Sequence, residues 1–163
     1  MRTAICPGSF DPVTLGHLDI IVRASVLFDQ VIAAVSRNPI KNPLFSISER
    51  VEMLKEVLSP YPNVKVDSFN GLTVYYAAEQ KAAAIVRGLR VVSDFENEFR
   101  MALINKNLAC NVETIFLMTR AEYSYISSSA VKDVAIFNGP LEHLVPPLVE
   151  KKLVEKIKRQ RFL

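Results

Sequence analysis

Short apolar runs alternate along the 163 residues with stretches whose apolar positions recur every three or four residues. Thr3-Ala4-Ile5-Cys6, Val31-Ile32-Ala33-Ala34-Val35, Val64-Lys65-Val66-Asp67, Ala83-Ala84-Ile85-Val86 and Thr114-Ile115-Phe116-Leu117-Met118 read as strands. The continuous runs among them suit a parallel sheet covered on both faces. Between the strands, Leu18, Ile21, Val22 and Val26 keep helical spacing, with Ile20, Ala24, Leu27 and Phe28 as a second stripe. Asp19 and Arg23, an i,i+4 pair, mark the exposed strip of that helix.

Ser46-Ile47-Ser48-Glu49 has the form of a capping box opening a helix with Ile47, Val51, Leu54 and Leu58 on one face. Ser93-Asp94-Phe95-Glu96 reads as a second capping box, leading a helix with Phe95, Phe99, Ala102 and Leu103 inward. A short helix is expected from Leu72 to about Gln80, one from Ser128 to Phe137 stopped by Asn138-Gly139, and a last one after Pro146, over about 147–161. The whole predicts one α/β domain over 1–163, doubly wound and Rossmann-like, with a five-stranded parallel sheet and helices on both faces.

Composition narrows the class. Half the residues are apolar, enough for a globular core, and no apolar run approaches the roughly 20 residues of a membrane span. The chain begins on a strand, without the features of a signal peptide, so a cytoplasmic protein is expected. Cys6 and Cys110 have no metal-ligand spacing, and His17 and His143 are the only histidines. The net charge of +3 is concentrated at one end: between Glu150 and Arg161 six basic residues stand against two acidic ones. A solvated helix face accounts for this better than a nucleic-acid footprint.

In a doubly wound sheet, ligands bind beyond the carboxyl ends of the strands. Ser9 and His17 follow the first strand, Lys41 the second, Gly71 and Leu72 the third, Arg87 and Arg90 the fourth, and Tyr123 to Ser129 the fifth. The first of these stretches breaks at Pro7-Gly8 and opens a helix carrying Gly16 and His17. The N–H groups of a helix start attract anions, and Gly16, lacking a Cβ, lets a phosphate close to the backbone. Neither a P-loop nor a G-x-G-x-x-G loop is present. The collected groups are cationic and rich in donors, with no paired carboxylate and no Ser-His-Asp set. They suit the stabilisation of phosphate charge and provide no nucleophile.

Three stretches then carry a resemblance: Pro7-Gly8-Ser9-Phe10-Asp11-Pro12 with Thr14-Leu15-Gly16-His17, Arg87-Gly88-Leu89-Arg90 with Asp94-Phe95-Glu96, and Tyr123-Ser124-Tyr125-Ile126-Ser127-Ser128-Ser129-Ala130-Val131-Lys132. In order and spacing, over nearly the whole chain, the sequence resembles the bacterial phosphopantetheine adenylyltransferases of the nucleotidyltransferase superfamily. It departs from many members at Ser9, where Thr is common, and from some at Tyr123, where Trp occurs.

The resemblance implies transfer of the adenylyl group of ATP to 4′-phosphopantetheine, giving dephospho-coenzyme A and pyrophosphate, with Mg²⁺ bound through the ATP phosphates. It implies His17, Lys41 and Arg90 as catalytic residues. Ser9, Lys41, Leu72, Thr73 and Arg87 would bind phosphopantetheine. Ser9, Phe10, His17, Gly88, Leu89, Arg90, Glu98, and Tyr123, Ser124, Tyr125, Ile126, Ser127, Ser128 and Ser129 would bind ATP. It further implies a homohexamer inhibited by coenzyme A, acting on neither nucleic acid nor membrane. The competing readings are a small nucleotidyltransferase with another phosphate acceptor, such as nicotinate mononucleotide, and a non-catalytic RNA-binding module using the basic tail.

Overall fold

The computed structural model describes residues 1–37 and 42–161. Five parallel strands, β1 (Thr3–Gly8), β2 (Gln30–Ser36), β3 (Val64–Phe69), β4 (Ala84–Leu89) and β5 (Glu113–Met118), form one sheet in the order β3-β2-β1-β4-β5. Helices α1 (Leu15–Leu27), α2 (Ile47–Leu58), α3 (Thr73–Glu79), α4 (Val92–Leu108), α5 (Ser128–Ile136) and α6 (Pro147–Arg161) complete the described elements. The order reverses between β1 and β4, which is where such sheets open a crevice at their carboxyl ends.

Strand alternation divides the interior in two. Ala4, Cys6, Val31, Ala33, Val35 and Val86 point to a cluster closed by α1, α2, α5 and α6. Ile5, Ile32, Ala34 and Ile85 point to the other face, where Val74, Tyr76 and Ala77 of α3 cover them. The last helix seals the first cluster with Val149, Leu153 and Ile157, all buried, while Lys152 and Lys156 reach Glu56 and Glu49 on α2.

Five local expectations need correction. β1 does not break at Pro7-Gly8 but runs through both, pairing Pro7 with Ala34 and Gly8 with Val35. Pro7 is tolerated because β1 pairs with β4 only at Ala4 and Ile5, and the Pro7 carbonyl accepts from Arg87 Nη1 at 2.8 Å instead. β4 likewise continues through Arg87-Gly88-Leu89, so Arg87 stands within the strand.

The proposed capping box at Ser93 is absent. α4 starts earlier, with Val91 as N-cap and no side-chain cap bond, and Asp94 is turned to Arg90. Phe95, Phe99 and Leu103 are not inward: they are 44%, 48% and 57% exposed, and no residue of α4 is buried. Asp19, in turn, is not on an exposed strip. Its side chain is 3% exposed and paired with Arg23 and with Arg120. The capping box at Ser46 and Glu49 is present.

Candidate active site

A cleft of about 1200 Å³ opens at the β1/β4 reversal, walled by the end of β1, the starts of α1, α2 and α5, and the end of β4. Its floor explains two glycines. A Cβ on Gly8 would sit 2.9 Å from Phe10 Cζ, and one on Gly88 would sit 2.8 Å from Ile20 Cγ1. Phe10 holds a left-handed backbone (φ 48), is 3% exposed, and stands edge-on to His17 with ring centroids 5.1 Å apart. Gly16 also lines the cleft, but a Cβ there would meet Tyr123 Cβ and Tyr123 O at 3.6 Å and Thr14 Oγ1 at 3.7 Å, all ordinary contacts. Packing of the chain against itself therefore does not demand glycine at that position.

The T-x-G-H motif is a capping box in which histidine takes the place of the usual Glu or Gln. Thr14 caps α1 by accepting from the His17 N–H at 3.3 Å, and the Thr14 N–H donates to His17 Nδ1 at 3.1 Å. Since Nδ1 accepts, the proton of neutral His17 rides on Nε2, the other ring nitrogen. Burial first, then the positive charges of Arg90 and Arg87, hold the His17 pKa down to about 4. At neutral pH the cleft therefore contains an uncharged, orientation-locked donor at a helix start.

Arg87 and Arg90 each face a carboxylate on α4. Arg87 Nε lies 2.8 Å from Glu98 Oε2, and Arg87 Nη2 lies 2.5 Å from Glu98 Oε1. Arg90 grips Asp94 with Nε at 3.0 Å and Nη2 at 3.3 Å, and donates through Nη1 to the Ile126 carbonyl at 3.1 Å. Ser127 caps α5 by accepting from the Ala130 N–H, and Ser128 Oγ donates to the Pro12 carbonyl at 2.8 Å.

Of the residues expected from sequence, Ser9, Phe10, His17, Arg87, Gly88, Arg90, Glu98, Ile126, Ser127, Ser128 and Ser129 line the one cleft. Leu72, Thr73, Leu89, Tyr123, Ser124 and Tyr125 do not. Leu72 caps α3 with its side chain 48% exposed, and Leu89 is buried. Lys41 lies outside the described residues.

The sequence reading passed over three residues. Asp11, buried, accepts from the Leu44 and Phe45 N–H groups at 2.9 Å each and from Lys132 Nζ at 3.0 Å. Arg50, also buried, donates to the Ser9 carbonyl at 2.7 Å and to the Ser46 carbonyl at 3.3 Å. Together these tie the β1 loop to the segment after residue 41 and to α5. Asp11 and Lys132 stood inside the quoted motifs, but their partners are 33 and 121 residues away and leave no local signal. Among the described residues, the lining holds Arg37, Arg50, Arg87, Arg90 and Lys132 against Asp11, Asp94 and Glu98. The cleft is thus net positive and suited to polyanions.

Comparison with known proteins fits this picture. The cytidylyltransferase-like family matches residues 5–134. The chain is 61% identical to the phosphopantetheine adenylyltransferase of Carboxydothermus hydrogenoformans, over 98% of this chain and 99% of that protein. It is 57% identical to the one from Synechococcus elongatus, over 94% and 92%. In fold it is similar to the crystal structure of a putative nicotinate-nucleotide adenylyltransferase from Vibrio parahaemolyticus, with TM-score 0.67 and 18% identity over 98% of this chain and 97% of that one.

Proposed function

This chain belongs to the phosphopantetheine adenylyltransferases, within the cytidylyltransferase-like family, and on that premise we propose that its cleft moves the adenylyl group of ATP onto 4′-phosphopantetheine, releasing pyrophosphate. The observation that carries the site assignment is the neutral His17 held by Thr14 at the start of α1, with its donor proton on Nε2.

The acceptor is already a phosphate anion, so the reaction needs no general base to make a nucleophile. What it needs is two polyanions in line and an electrostatic answer to the charge that builds on the α-phosphate. His17 donates to that charge. Ser9, Phe10, Gly88, Arg90, Glu98 and Ile126 to Ser129, which line the cleft, hold ATP, with Phe10 contributing backbone because its ring is buried. Arg87, Lys41 and Ser9 hold phosphopantetheine; Leu72 and Thr73 lie outside the cleft lining, so their proposed contact with the arm is left to its far end.

Among the described residues no cluster of three or more His, Cys, Asp or Glu side chains could cage a metal. Asp11, Asp94 and Glu98 are each committed to a cation. Mg²⁺ is proposed to ride on the nucleotide's own phosphates, whose charge it would offset when bound.

The two arginines separate the substrates. Arg87→Ala should chiefly raise KM for phosphopantetheine, and Arg90→Ala chiefly that for ATP. Steady-state kinetics with each substrate varied in turn is the check, and identical profiles for the two variants would remove this division of roles.

A homohexamer accords with α4, whose Phe99, Leu103 and Ile104 are 48%, 57% and 45% exposed, beside Ile115 and Met118 on the edge strand β5. An apolar face of that kind marks a contact surface. Phe99→Glu with Leu103→Glu should give smaller particles by analytical ultracentrifugation, and an unchanged mass would contradict self-association through α4. Finished coenzyme A, carrying both the adenine and the pantetheine arm, would compete for the same cleft as feedback inhibitor. No described helix is long and apolar enough to cross a membrane. On α6, Lys152 and Lys156 are paired with acidic residues of α2, which weakens the tail as a nucleic-acid site.

A further inference from the structure

Asp19 follows His17 by two residues on α1 and does not line the cleft. Its carboxylate, 3% exposed, receives Arg23 Nη1 at 3.1 Å, Arg120 Nε at 3.0 Å and the Arg120 N–H at 3.4 Å. Arg23 Nη1 also donates to the Met118 carbonyl at 2.7 Å. Met118 ends β5, and Arg120 begins the segment that passes through a 3₁₀ turn at Ala121–Tyr123 to the α5 cap at Ser127.

A buried carboxylate on the helix that carries His17 thus fastens the root of the segment that reaches Ile126 and Ser127. The far end of that segment is bound to the site, since the Ile126 carbonyl accepts from Arg90. Its middle lies against the helix start, with Tyr123 beside Gly16. An ion pair serving only to join α1 to the sheet would be complete with Arg23, which already reaches the last carbonyl of β5. Arg120 adds a bond from its backbone and one from its side chain at the point where the segment departs, although that side chain is 59% exposed.

We propose that Asp19 is a positioning residue for ATP, acting through Arg120 to fix the segment 119–127 relative to His17. This rests on the reading that the segment and the α5 start hold the nucleotide. Small misplacements remote from the chemistry are costly because binding and in-line geometry depend on them steeply.

The test uses the full-length protein with Asp19→Asn, Arg120→Ala, Arg120→Lys and the Asp19→Asn/Arg120→Ala double variant, with Arg90→Ala as reference. KM for each substrate, kcat and melting temperature are measured for all. Asp19→Asn and Arg120→Ala should each raise KM for ATP about tenfold, with KM for phosphopantetheine unchanged. The double variant should be no worse than Asp19→Asn alone, and Arg120→Lys should recover part of the loss. Arg120→Ala guards against a folding artefact, because it removes an exposed side chain. If Asp19→Asn and Arg120→Ala leave KM for ATP unchanged while Arg90→Ala raises it, Asp19 is structural only and the proposal fails alone. If Arg90→Ala also leaves it unchanged, the nucleotide reading of this segment falls, and the proposal with it.

Discussion

His17→Ala is expected to lower kcat by about 10²–10³, the usual cost of removing one preorganised donor from a developing oxyanion, while the ATP dissociation constant changes little. The geometry is the reason. The Thr14 N–H occupies Nδ1, so Nε2 carries the only ring proton, and the imidazole cannot rotate without giving up its half of the capping box. A donor fixed in this way gains most when charge builds on the α-phosphate, not when ATP first binds. His17→Gln, which still offers an N–H, should recover part of the rate. A fall in ATP affinity proportional to the loss of rate would make His17 a ground-state ligand.

The same geometry sets a pH signature. The folded-state pKa of about 4 lies below the ordinary histidine value of 6.5, so His17 is neutral in the folded chain throughout the physiological range. Below pH 6.5 the unfolded chain binds a proton that the folded one refuses. Stability linked to His17 is therefore complete above 6.5 and is lost as pH falls from 6.5 towards 4. An NMR titration should find the His17 ring neutral, with a single proton, from pH 7 down to 5. A midpoint near 6.5 would contradict it.

The second large effect is expected at Asp11. Asp11→Ala strands the Leu44 and Phe45 N–H groups, which now donate to its carboxylate, and leaves Lys132 without its partner. An unsatisfied buried donor costs about 1–3 kcal/mol. Lys132 adds little, because its side chain is 27% exposed and screened. The expected destabilisation is about 2–4 kcal/mol, and at about 2–4 °C per kcal/mol for a chain of this size the melting temperature should fall by about 4–16 °C. Asp11→Asn keeps one acceptor oxygen and should lose about half as much. Calorimetry of both variants is the check, and an unmoved melting temperature would show that the carboxylate does not hold the segment after residue 41.

The sequence made the strands legible because buried parallel strands are written as runs of Val, Ile and Ala, and the helix start at Ser46 because its cap is local chemistry. It misjudged α4, since period alone says that Phe95, Phe99 and Leu103 share a face and not whether that face meets this chain or another surface. Asp19 was misplaced for a related reason. The i,i+4 rule found Arg23, but Arg120 is 101 residues away, and it is Arg120 and the loop after β5 that bury the carboxylate. At Ser93 the box pattern fails because α4 begins at Val92 with Val91 as its N-cap, which puts Ser93 inside the first turn. In the site, the cations were readable as motif residues. Asp94 and Glu98 on α4 were named there too, but not as counter-ions, because pairing Arg87 with Glu98 requires knowing how α4 crosses the end of β4.

Pyrophosphate release from ATP, measured with 4′-phosphopantetheine and with nicotinate mononucleotide as acceptors, tests the assignment most directly. Rapid release with the pantetheine acceptor and background release with the mononucleotide is the expected result. Equal turnover with both would contradict it.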